Sequence, residues 1–197
     1  MLSVKKLSII LTLFFLLCSR AEAAVLYVDN ESTCTSMCGA SWSSAYSSIH
    51  DGVDAASESD QIWVSGTFVL LEPVTVDKNI SLYGGFSGTE VMRNERDWIN
   101  NPTVIDGGFD KTCFVLQDSN SHIDGFTFRH GAGHFAGGID IYSCTPVIAN
   151  CFFIKNGIFC CSLEPSAGGI YNRNSSPLIE NCIFFNSFFY FFRINNT

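Results

Sequence analysis

The chain has 197 residues, 47% of them apolar, with nine cysteines and a formal charge of −8 at pH 7. That length supports one domain with a core of its own. The acidity argues against nucleic acid and anionic membrane surfaces as partners, and no pair of C-x-x-C units suggests zinc.

Lys5 and Lys6 precede an apolar run over residues 7–18, and Ala21-Glu22-Ala23 closes it. A positive start, a short apolar centre and a small-x-small end make a secretory signal peptide, cut after Ala23. Leu17 before Cys18 does not suit lipoprotein processing, and the run is too short to span a bilayer. Removing Lys5, Lys6, Arg20 and Glu22 leaves 8 basic and 18 acidic side chains in the mature part, a charge of about −10. The expected location is therefore secreted or cell-surface, with the charge serving solubility. Eight cysteines remain in a compartment that permits disulfides, and spacing alone does not give their pairing.

Residues 24–60 read as an N-terminal strand, loop and helix. Val25 to Val28 (VLYV) is a short strand. Residues 29–41 form a polar loop that Cys34 and Cys38 either staple or leave open. Ala45, Ile49, Val53 and Ala56 then recur at helical spacing, which predicts an amphipathic helix over about residues 43–57, capped by Ser41 or Ser43. Gly52 weakens that helix slightly.

From Gln61 the character changes. Short β-rich runs follow one another between Gly, Asn, Asp and Pro: QIWV, PVTV, NISLYG, TVIDG, CFVL, HIDGFTF, GGIDIY, PVIANCFFI, GGIYN and PLIENCIFF. Only a turn near residues 89–98 interrupts them. Many short strands with regular turn signals indicate an all-β fold.

An internal repeat decides which one. GGIDIYSCTPVIANCFFIKN from Gly137 aligns with GGIYNRNSSPLIENCIFFNS from Gly168 without a gap, at an offset of 31. Ile148 matches Ile179, Asn150 matches Asn181, Cys151 matches Cys182 and Phe153 matches Phe184. HIDGFTF is a weaker upstream copy that sets Ile123, Gly125 and Phe128 on the same rows. Like residues at like places predict a parallel β-helix over residues 61–186, with coils about 4.8 Å apart. Ile, Cys and Phe then form inward ladders, and intervening residues such as Ala149 and Glu180 face water. Asn150 and Asn181 occupy a sharp bend in left-handed conformation, where Gly125 serves equally. The amphipathic helix becomes a cap over the first coil, whose strand edges would otherwise be open.

LYVDN, SWSSAYSSIHDGVDAA, DQIWVSGTF, SLYGGFSGTEVMRNERDW, TVIDGG and SSPLIENCIFF together resemble bacterial exported right-handed parallel β-helix repeat proteins. Their repeats are similar to those of polymorphic outer membrane proteins. The likeness covers about residues 25–186, and G-G-F-x-G-T-E…R-x-x-R-D-W is its most specific part. It implies a single-stranded right-handed β-helix outside the cell and supplies no general catalytic set. The F-x-x-N signature stands as Phe153-Ile154-Lys155-Asn156 and is broken after Phe184. Residues 187–197 form an off-pattern, Phe-rich tail, which reads as a truncated copy whose open, Phe-lined end would aggregate.

Two functional readings follow. The first is a non-catalytic surface module for adhesion or carbohydrate contact, its partner an extracellular carbohydrate or a host or cell-surface protein. The second is a carbohydrate-active enzyme of the β-helix type, whose candidate set is Asp106, Asp124, Arg129 and His130. Asp106 and Asp124 both stand in I-D-G, 18 residues apart. On successive coils they would lie within about 5 Å, forming a calcium site or a raised-pKa acid, with Asp110 and Asp118 nearby. Otherwise each caps its own turn. His130 and His134 flank a Gly-rich turn, which reads more simply as exposed loop. Glu90 and Arg93 pair at i,i+3 in a solvated loop, together with Glu95, Arg96 and Asp97. Trp42, Trp63 and Trp98 are either sugar platforms or packing residues. Cys151 and Cys182 read as a buried ladder rather than a disulfide, and the adjacent Cys160 and Cys161 as thiols bonded elsewhere or free. Asn30, Asn79, Asn174 and Asn195 are sequons of little weight.

Overall fold

The computed structural model describes residues 23–158 and 167–187. The expected signal peptide through Glu22, Cys160, Cys161, Asn195 and the tail beyond Ser187 lie outside the described residues. Three parallel sheets and one short helix make up the rest.

The first sheet holds β1 (Val25–Asp29), β2 (Gln61–Ser65), β5 (Ser81–Phe86), β8 (His122–Asp124), β11 (Val147–Ala149) and β14 (Leu178–Glu180). The second holds β3 (Thr67–Val69), β6 (Thr103–Asp106), β9 (Phe126–Arg129), β12 (Phe152–Ile154) and β15 (Ile183–Phe185). The third holds β4 (Val74–Val76), β7 (Phe114–Gln117), β10 (Ile139–Tyr142) and β13 (Ile170–Arg173). From β2 onward the chain visits the first, second and third sheets in strict rotation. Each round is a coil, and the architecture is compatible with a parallel β-helix. The strand β3 had no counterpart in the sequence pattern, because Phe68 is its one inward residue.

The ladders run through the registers. Ile62, Leu82, Ile123, Ile148 and Ile179 follow one another along the first sheet. Phe68, Ile105, Phe128, Phe153 and Phe184 do so along the second. The rings of Phe128 and Phe153, and of Phe153 and Phe184, stack at 5.1 and 4.7 Å. Val74, Phe114, Ile139 and Ile170 complete the third. The three rows meet in one apolar cluster, so each coil closes its core against the coils above and below. Ala149 is buried, contrary to the expectation that its row faces water: it sits beside Asp124, whose outer surface is occupied by other side chains.

Corners repeat as the strands do. Gly125, Asn150 and Asn181 hold φ of 82°, 53° and 55° between the first and second sheets. Asn181 Nδ2 donates to Asn150 Oδ1 at 3.0 Å, and Asn150 Nδ2 to Asp124 Oδ1 at 2.8 Å. Two further corner rows are also left-handed: His130, Lys155 and Asn186 after the second sheet, and Asp118, Ser143 and Asn174 after the third. Asn156, fully buried, accepts from Gly131 N and donates to Phe128 O. One coil on, Ser187 Oγ donates to Phe153 O at 3.3 Å. The interrupted F-x-x-N signature thus keeps a weaker donor in the same role.

The N-terminal helix, α1, spans only Ile49–Ala55, with Ser48 rather than Ser41 or Ser43 accepting from Asp51 N. Trp42–Ser44 is a separate 3-10 turn. Between them Tyr46 exchanges backbone hydrogen bonds with Tyr27 and Asp29, so that pairing to β1 interrupts the helical period. Ile49, Val53 and Ala56 join the apolar cluster. Lys78 Nζ donates to the carbonyls of Val53, Asp54 and Ala56, all within 3.0 Å, tying the end of α1 to the coil. Cys34 and Cys38 are disulfide-bonded, closing the loop after β1. Among the described residues no helix is long and apolar enough to cross a membrane.

Candidate functional site

Three aspartates at or near strand ends each meet an arginine, and these pairs organise the polar chemistry of the outer surface. Asp106 closes β6 beside Arg129 of β9. Its Oδ2 accepts from Arg129 Nε at 2.7 Å and contacts His130 Nδ1 at 3.1 Å, while Oδ1 accepts from Gly108 N at 3.0 Å. The His130 ring stacks on Phe109 at 4.3 Å. Burial pushes the Asp106 carboxyl up, but these donors outweigh it and hold the group below its ordinary value. His130 is therefore not a free loop histidine, whereas His134 is exposed.

Asp124 lies elsewhere. It closes β8 in the first sheet, in register with Tyr83 and Ala149, whereas the neighbours of Asp106 are Val69 and Arg129 in the second. The two I-D-G tripeptides are not equivalent, and the expected stacking of Asp106 on Asp124 is corrected. The physical reason is coil length: one full turn from Asp106 leads to its register partner Arg129, 23 residues on, so a spacing of 18 residues stops one sheet short and joins two different corners. Of the candidate set, Asp106, Arg129 and His130 converge and Asp124 stands apart. Asp110 pairs with the adjacent Lys111, and Asp118 is an exposed corner residue. Among the described residues no group of three or more His, Cys, Asp or Glu is arranged to hold a metal ion.

The charged loop is what Asp124 serves. Arg96 Nη2 donates to Asp124 Oδ2 at 2.8 Å, and both side chains are about 10% exposed. The guanidinium also lies over Tyr83 and Trp98, at 5.2 and 4.8 Å. His122 Nε2 is 3.5 Å from the same oxygen, a contact without hydrogen-bond geometry. Burial raises Asp124; the contacts with His122, Arg96 and Asn150, and the Arg96 charge, pull it down to about 2. Glu90 does not pair with Arg93 as the spacing suggested. It folds back to accept from Ser87, Gly88 and Thr89, while Arg93 reaches Tyr83 Oη. The loop is a clamp on the first sheet. Trp63 packs under it with Phe86, their rings stacked at 4.9 Å, and Trp42 bonds Glu90 O. These tryptophans are packing residues.

The third pair has no sequence motif. Arg173 donates to both Asp140 oxygens, at 2.8 and 3.3 Å. Its guanidinium stands 4.5 Å from the Phe135 ring, 5.0 Å from Tyr142 and 6.0 Å from Tyr171. The inward residues of β10 are Ile139 and Ile141, so Asp140 and Tyr142 face outward with Tyr171 and Arg173 beside them. Phe135 and Tyr171 stack at 6.0 Å, and Tyr142 is 40% exposed. The signal available in sequence was the alternation IDIY over IYNR, which sets two polar-aromatic rows on one face.

No family model matches the chain, and no curated protein and no solved structure matches it.

Proposed function

We propose that this is an exported, non-catalytic, right-handed parallel β-helix that contacts extracellular carbohydrate through the outer face of its third sheet. The handedness follows the strong preference of parallel strand crossovers. The observation that carries the reading is the cluster of Phe135, Tyr142, Tyr171, Arg173 and Asp140. A pyranose ring presents an apolar C–H face that packs on an aromatic ring. Its hydroxyls suit a planar guanidinium and a carboxylate held at fixed positions. Asp106 and Asp124, engaged by Arg129 and Arg96 away from this cluster, support a structural use of those two carboxylates.

The test is binding of the exported full chain to immobilised polysaccharides of neutral, acidic and amino-sugar composition. Tyr142→Ala and Tyr171→Ala should each weaken binding about tenfold, on the scale of about 1.4 kcal/mol for a lost aromatic contact. Met37→Ala, on the exposed N-terminal loop, should leave it unchanged. Equal binding by all variants, or none by the parent, would contradict the reading. Recovery of the protein in the cytoplasmic fraction would remove the exported premise.

A second reading has its own observation. Asp106, Arg129 and His130 converge, as a β-helix polysaccharide lyase would require of a base and a neighbouring cation. One carboxylate rather than two stands there, which disfavours paired-carboxylate hydrolysis. Product formation from any of the same polysaccharides, lost in His130→Ala, would establish the enzyme reading; its absence leaves the surface module.

A further inference from the structure

Cys151 and Cys182 occupy one step of successive coils. Each follows the left-handed Asn of its corner and precedes a strand of the second sheet. The flanking registers, Ala149 to Glu180 and Phe152 to Ile183, fix their separation at the parallel interstrand spacing. Ladder bonds on both sides, Asn150 N to Glu180 O at 3.1 Å and Ile183 N to Cys151 O at 2.9 Å, hold that register. Parallel strands lie about 4.8 Å apart, inside the Cα separation a disulfide spans. Both thiols point into the stack: Cys151 is fully buried in the apolar cluster, and Cys182 is half-buried against it. Neither is oxidised.

We infer that Cys151 and Cys182 form a thiol–disulfide exchange site, with Cys182 the attacking thiol, Cys151 the resolving thiol and a low-molecular-weight aliphatic disulfide the oxidant. The Cys182 thiolate attacks one sulfur of the reagent. A bond forms from Cys182 Sγ to that sulfur, the reagent's S–S bond breaks, and one thiolate leaves. Cys151 gives up its proton to the departing thiolate and attacks Cys182 Sγ, expelling the second thiolate. Two protein thiols are oxidised to one disulfide, and the reagent is reduced to two thiols.

Exposure assigns the roles. Only Cys182 reaches solvent. The Cys151 thiol beside it lowers Cys182, whereas burial pushes Cys151 well up, its own S–H bonding Ala149 O at 3.1 Å. Among the described residues, Cys113 and Cys144 lack such a partner. Cys113 is buried and held up by burial, and Cys144 faces Ser175 on the next coil. The product would staple β14 and β15 to the coil before them.

The experiment treats the reduced full chain with oxidised glutathione and maps each cysteine by peptide mass. The parent should lose both thiols to a Cys151–Cys182 link and retain no glutathione on either. Cys151→Ala should hold one glutathione on Cys182, and Cys182→Ala should leave Cys151 unreacted. Retention of glutathione on Cys182 in the parent overturns the inference. So does pairing of Cys182 with another cysteine, modification of Cys151 in Cys182→Ala, or no reaction at either position. The parent's result stands whether or not a variant folds.

Discussion

The coils from β2 to β12 and the coil that follows them, β13 to β15, carry matching residues on matching rows, yet bury them differently. Ile148 and Phe153 are fully buried, while Ile179 is 42% exposed and Phe184 50% exposed. The registers are unbroken between them. Burial in a stacked repeat therefore comes from the neighbours on both sides, and a ladder residue with one neighbour among the described residues keeps only part of it. At the other end the stack is covered: β1 extends the first sheet and α1 places Ile49 and Val53 in the core.

The ion pairs of the two regions differ in exposure as well. Arg96 and Asp124 are both about 10% exposed, while Arg173 beside Asp140 is 32% exposed. Arg96→Ala leaves a buried carboxylate without its counter-charge, with Asn150 Nδ2 as its remaining donor, and should cost about 3–5 kcal/mol. Arg173→Ala strands Asp140, itself 9% exposed, but removes a guanidinium already open to solvent, and should cost less, about 1–3 kcal/mol. Urea midpoints of the two variants measure the difference, and equal shifts would refute it.

The same pair gives a pH dependence. Asp124 is depressed from 3.8 to about 2 in the folded chain. A depressed carboxylate contributes fully above its unfolded value and loses that contribution as pH falls through the folded one. The contribution, roughly 2 kcal/mol, should be complete at neutral pH and gone below about pH 2. Asp124→Asn should accordingly narrow its gap to the parent as pH drops from 4 toward 2. A gap that stays constant would contradict the assignment.

Glycine sharpens the contrast. A Cβ on Gly138 would lie 2.4 Å from the carbonyl oxygen of Gly169 and 2.8 Å from the Phe153 ring, whereas on Gly169 its close contacts are with the ring of half-exposed Phe184, at 2.8 Å. Backbone cannot yield as a surface ring can. Gly138→Ala should cost about 3 kcal/mol and Gly169→Ala about 1 kcal/mol, read as thermal midpoints. A smaller effect than at Gly138 is expected at the corner. Asn150→Ala loses a left-handed residue and two side-chain hydrogen bonds, for about 1–2 kcal/mol. Asn150→Gly should recover part of this, because Gly125 fills the same place one coil earlier.

What could be read from sequence follows the same division. The rows of Ile, Asn, Cys and Phe were legible because the 31-residue copy aligns without a gap. The Gly125 substitution followed from backbone conformation alone. The corners at His130 and Lys155 gave no signal, since neither residue type announces a positive φ. The equivalence assumed for Asp106 and Asp124 failed because three-residue likeness says nothing about coil length. Arg96 was read as solvated because its partner is distant in sequence and its burial depends on Tyr83, Trp98 and Asp124 together. The helix was overextended because Ala45 is buried through β1 rather than through a helical face.

Phe153→Ala and Phe184→Ala, compared by equilibrium denaturation, test the stacking account most directly. The account predicts a loss of about 3–5 kcal/mol for Phe153 and less than half of that for Phe184. Equal losses, or a larger loss at Phe184, would contradict it.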